Sequence, residues 1–141
     1  MIDINKFKKN GISDSEIQDV LSIKPEDFTI IKLISPCIIH DEIVIGYDCT
    51  YPIIVKLEGI FIHEEHNYRF VNSNTMSFLN CLAKYSEYCS NIVNYENNDE
   101  LFILKIVKNY IEEMKNYDPK AFSNAQCYWA IIAQQMIDGN L

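Results

Sequence analysis

Apolar positions recur at two different periods along this chain, and the change from one to the other divides it into segments. Ile17, Val20 and Leu21 follow helical spacing behind Ser13 and Glu16. That pairing predicts an N-terminal helix opened by a capping box, with Ile12 placed to staple onto Ile17. Pro25 closes the helix, and the β-branched run Phe28-Thr29-Ile30-Ile31-Lys32-Leu33-Ile34 predicts a strand bounded by Ser35-Pro36. From residue 43 to 71 the period is close to two. The runs Ile43–Tyr47, Ile53–Leu57, Ile60–Ile62 and Tyr68–Val71 are separated by Asp48-Cys49-Thr50, by Glu58-Gly59 and by the polar stretch from His63 to Asn67. This spacing predicts an antiparallel meander. Pro52 lacks a ladder donor and belongs at a strand start or on an edge.

After Val71 the period becomes helical. Asn72 or Ser73 is placed to cap a helix whose stripe is Met76, Leu79, Leu82, Ala83 and Cys89. A polar loop over residues 91–98 leads to a second helix with Asp99 and Glu100 at its positive end and Ile103, Leu104, Val107, Ile111 and Met114 on its inner face. Asp118-Pro119 interrupts the pattern. Ser123 with Gln126 forms another capping box, and the last helix presents Trp129, Ile132, Ala133 and Met136 before Gly139. Strands followed by helices predict an α+β domain. Its antiparallel-dominated sheet has about five to six strands, with one N-terminal helix and about three C-terminal helices.

Composition narrows the functional classes. The chain has 141 residues with 48% hydrophobic content, enough for one core, and no linker or repeat marks a second domain. Residues 1–141 are expected to fold as a unit. Twenty acidic against twelve basic residues give a formal charge of -8, and Arg69 is the only arginine. Such a field repels a polyanion and argues against nucleic-acid binding, while it favours encounter with a basic protein. No stretch approaches the roughly 20 apolar residues of a membrane span, and the N-terminus lacks a signal-type apolar run, so a cytoplasmic location is expected. Five scattered cysteines without a CxxC pair read as buried free thiols.

Candidate chemistry is sparse. His63-Glu64-Glu65-His66 offers imidazole and carboxylate ligands, the basis for an alternative reading as a metal-dependent hydrolase. Its histidines are three apart in a turn-like segment, whereas the helical metalloprotease motif needs them four apart on one face. Pairing of Cys37 or Cys49 with His40 or His63 lacks a visible group to lower the thiol pKa. The adjacent carboxylates Asp41/Glu42, Glu64/Glu65 and Glu112/Glu113 read as solvated surface. No Gly-rich phosphate loop is present, and Gly59 is explained by a turn that needs positive φ. No catalytic residue, metal or cofactor is assigned.

One segment carries a more specific pattern. Arg69-Phe70-Val71-Asn72-Ser73-Asn74 runs into Phe78-Leu79-Asn80-Cys81-Leu82-Ala83-Lys84-Tyr85, a strand ending in Phe-Val-Asn-Ser before a Phe-Leu-x-x-Leu-x-x-Tyr helix. Together with Pro25, Asp118-Pro119, Trp129 and Gly139, this order resembles the SUKH superfamily of bacterial immunity proteins, most closely its fourth subgroup. The chain departs from the group at Ile23-Lys24-Pro25, where Gly-Leu-Pro is usual, and at Asn74, where a second serine is usual. The resemblance implies a protein that binds and neutralises a cognate polymorphic toxin, often a nuclease or a nucleic-acid deaminase, without catalytic residues. A regulatory scaffold role, found elsewhere in the superfamily, is the alternative it implies. On this basis Phe70, Asn72, Ser73, Phe78, Leu79, Leu82 and Trp129 are expected to be fold determinants: Phe70 plugs the core and Asn72 turns strand into helix. Asp41, Glu42, Asp48, Tyr51, Glu64 and Glu65, acids and an aromatic of the turns, are the candidate toxin contacts.

Overall fold

The computed structural model describes residues 3–139. Two short helices, α1 (Ile4–Lys8) and α2 (Asp14–Leu21), precede six strands: β1 (Glu26–Asp27), β2 (Lys32–Ile39), β3 (Glu42–Asp48), β4 (Tyr51–Lys56), β5 (Gly59–His63) and β6 (Tyr68–Asn72). Helices α3 (Thr75–Ile92), α4 (Glu100–Tyr117) and α5 (Tyr128–Asp138) follow, with 3-10 turns at Val93–Tyr95 and Pro119–Phe122. The strands form one antiparallel sheet in sequence order. The protein is therefore α+β, as the change of period predicts. Among the described residues no helix is long and apolar enough to cross a membrane.

The helices and one face of the sheet share a single core. Ile43, Ile53, Val55, Ile60 and Ile62 of the strands meet Ile17 and Val20 of α2, Phe78, Leu82 and Tyr85 of α3, Met114 of α4 and Trp129 of α5. Alternation then sends the other strand residues to the opposite face. There Cys37, Val44, Ile54, Phe61 and Phe70 pair in succession across five strands. Phe70 is only half-buried and meets Phe61 edge-on with centroids 5.5 Å apart. It packs against the core from a partly exposed position and does not plug it.

Four local expectations are corrected. Residues 28–31 form a turn, closed by the Phe28 amide donating to the Ile31 carbonyl at 2.8 Å, and the strand runs on through Ser35-Pro36. Pro36 is tolerated because the register jumps between Leu33 and Cys37, so the bulge asks no ladder donor of it. Helix α3 is capped by Asn74, whose Oδ1 accepts from the Ser77 amide at 2.8 Å, and not by Asn72 or Ser73. Its buried stripe is Phe78, Cys81, Leu82, Tyr85 and Tyr88. Met76 and Ala83 are exposed and Leu79 is half-buried, because the aromatic side of the helix turns toward Trp129 and α4. Finally, Ser123 does not cap α5: its helical φ/ψ makes it the end of the preceding 3-10 turn, and α5 begins after Cys127.

Candidate functional site

The recognisable segment builds a buried polar junction. Asn72 ends β6 with no exposed surface, and Trp129 Nε1 donates to its Oδ1 at 2.8 Å. Asn72 Nδ2 donates to Asp118 Oδ2 at 3.0 Å and to Cys81 Sγ at 3.6 Å. Asp118, itself buried, also accepts from the Ser73 amide at 2.7 Å and from the Ser73 hydroxyl at 2.9 Å. One carboxylate thus ties the end of α4 to the β6–α3 connection, and Asn72 passes the link to α5. Beside it, Glu16 of α2 accepts from the amide of Thr75 at 2.7 Å and from its hydroxyl, filling the first turn of α3. The capping box at Ser13 is therefore half-made: Ser13 Oγ takes the Glu16 amide, while the Glu16 carboxylate serves α3. Asn72 and Trp129 are fully buried, while Ser73 is half-buried with its hydroxyl committed to Asp118. Burial pushes the Cys81 thiol up to about 12, which keeps it protonated and unreactive.

The six candidate contacts fall in four places. Asp41 lies exposed in the β2–β3 turn, where it and His40 both have positive φ, the geometry of a two-residue hairpin connection. Glu42 lies on the face of the sheet away from the helices, where it accepts from the Tyr68 hydroxyl at 2.8 Å and meets His63 Nδ1 at 2.8 Å. The Glu42 hydrogen bond, then burial, raises the Tyr68 pKa. The Tyr68 ring stacks on His63 at 4.2 Å, and Lys56 Nζ sits 3.9 Å from its centroid. Glu65 is exposed in the β5–β6 turn.

The remaining three come together. Asp48, Tyr51 and Glu64 line one groove of about 450 Å³ between the β3–β4 and β5–β6 turns and α5, with Arg69, Tyr128 and Gln135. Asp48 Oδ2 accepts from the Tyr128 hydroxyl at 2.8 Å. Glu64 pairs with Arg69 at 2.6 Å, and Arg69 Nη1 donates to the Gln126 carbonyl at 2.7 Å, which fixes the turn to the start of α5. Burial, and then the Asp48 charge, holds the Tyr128 hydroxyl proton far above the usual tyrosine range. Tyr128 and Arg69 are groove residues that pattern reasoning misses. The signal for Arg69 was its being the only arginine beside an acidic turn; Tyr128 had none.

The His63-Glu64-Glu65-His66 string is pulled apart by alternation. His63 turns to Glu42 on one face, Glu64 to Arg69 on the other, and His66 is exposed. Among the described residues no three His, Cys, Asp or Glu side chains are grouped to hold a metal ion. No protein-family model, curated protein or solved structure matches the chain.

Proposed function

We propose that this chain is a cytoplasmic immunity-type protein that binds a cognate basic toxin of the polymorphic class and blocks it by surface complementarity. The observation that carries this reading is the convergence of Asp48, Tyr51 and Glu64 on one groove at one end of the sheet. The resemblance of residues 70–85 supplies the class of partner. The buried junction around Asn72 is consistent with it, since a scaffold held from inside leaves turns and the α5 surface free to specialise. A charge of -8 speeds encounter with a basic partner.

Co-expression with the polymorphic toxin encoded immediately upstream tests the proposal. Restored growth and a stoichiometric complex on gel filtration are expected. Failure of both sinks the immunity role for that pair, and several micromolar partners in place of one tight partner would assign the chain to the scaffold role.

A further inference from the structure

We propose that the groove beside α5 is built to receive a lysine or arginine side chain of the protein partner, with Asp48 as its counter-ion. This assignment, which rests on the binding role proposed above, gives that role a place and a chemistry. The groove walls are apolar and aromatic: Ile30, Ile62, Ile131 and Ile132 with the rings of Tyr51 and Tyr128. Its volume of about 450 Å³ falls at the small end of the roughly 300–1,000 Å³ typical of ligand sites.

The charges in the groove do not balance. Glu64 is neutralised by Arg69, whose Nη1 is in turn held by the Gln126 carbonyl. Asp48 is half-buried, and among the described residues no lysine, arginine or histidine pairs with it. Its one bond comes from Tyr128, a neutral donor whose proton is held by burial and by Asp48 itself. A partly desolvated carboxylate without a counter-ion costs free energy, and low-dielectric walls increase what an incoming cation gains. Lysine and arginine match this shape, since their aliphatic stems cover apolar surface while the charged tip seeks an acid or an aromatic face. An anionic ligand would add to the excess charge, and a second copy of this chain would bring another -8.

Calorimetric titration of the co-expressed toxin against wild type and Asp48→Asn tests the assignment, because asparagine keeps an acceptor for Tyr128. We expect affinity to fall at least about tenfold, whereas Glu58→Gln, in the exposed β4–β5 turn at the far end of the sheet, changes it less than about twofold. Ile131→Lys, which supplies a resident cation at the half-buried Ile131, gives the same loss with Asp48 intact and guards against a folding defect in the first variant. Unchanged affinity in Asp48→Asn and Ile131→Lys, with wild type still binding, overturns the groove assignment and leaves the immunity role standing. Absence of wild-type binding removes the immunity role instead. The groove is then read directly, by titrating Nα-acetyl-arginine amide and Nα-acetyl-glutamate amide and following the methyl resonances of Ile62 and Ile131. Shifts with the arginine compound alone, lost in Asp48→Asn, support the assignment; no shift, or equal shifts with both compounds, overturns it.

Discussion

Asn72 illustrates why a short polar side chain can matter more than a large apolar one. Its amide donates twice and its carbonyl accepts the indole of Trp129, all without contact with water. Asn72→Ala orphans the Trp129 N–H and strips a donor from Asp118, so we expect a loss of about 3 kcal/mol in urea unfolding. Asn72→Asp, almost the same size, sets a second carboxylate within hydrogen-bond distance of Asp118 and should cost more. Equal stability of the two variants would refute the role assigned to Asp118. Cys81 gives a pH test. Burial raises its thiol from 9.0 to about 12, so between those values only the unfolded chain releases the proton. The contribution is intact below pH 9 and is lost as the pH rises toward about 12. Thermal melts should show Cys81→Ala flattening that alkaline decline, and an identical slope would exclude the effect. Asn72 and Trp129 were legible in the sequence as architecture. Asp118 was legible only as a helix stop, because its partners lie 46 and 45 positions away.

At the scale of elements, the pattern specified most of the strands and helices but missed the short α1 and β1, and it did not fix where each element begins. Helix α3 shows the reason: Asn72, Ser73 and Asn74 are all competent caps, and burial decides among them. Asn72 and Ser73 are drawn to Asp118, which leaves Asn74 to take the Ser77 amide. Asn74→Ala is therefore expected to cost about 1 kcal/mol in chemical denaturation, a loss Asn74→Ser restores. Pro36 shows the converse failure, since a proline reads as a boundary until a bulge removes the need for its N–H. Gly59 was legible and proves doubly constrained. Its φ of +139° is poorly accessible to other residues, and a Cβ there would lie 2.5 Å from the Asn72 carbonyl oxygen. Gly59→Ala should lower stability by more than about 2 kcal/mol, and a near-neutral result would mean the β4–β5 turn relaxes freely.

For the molecule as a whole, a surplus of acid next to a neutral Glu64–Arg69 pair separates two electrostatic tasks. The diffuse charge should govern encounter, so we expect the association rate with a basic toxin to drop about tenfold or more between about 0.05 M and about 0.5 M salt, measured by stopped flow. Dissociation should change much less, and a salt-independent association rate would exclude steering. The groove itself was only partly legible. Asp48, Tyr51 and Glu64 could be picked as turn residues, but Tyr128 reaches Asp48 across 80 positions, and no local period encodes that meeting. The same long reach bears on how the chain is made. Each strand pairs with its neighbour in sequence, so the sheet can zip together as synthesis proceeds. Asn72 must then wait, for Asp118 and finally for Trp129. Until residue 129 can fold back, the side-chain oxygen of Asn72 lacks the indole donor that satisfies it in the folded protein. Ribosome-stalled chains ending before Asp118 should accordingly be cut by protease after Asn72, and chains carrying Trp129 well clear of the exit tunnel should not.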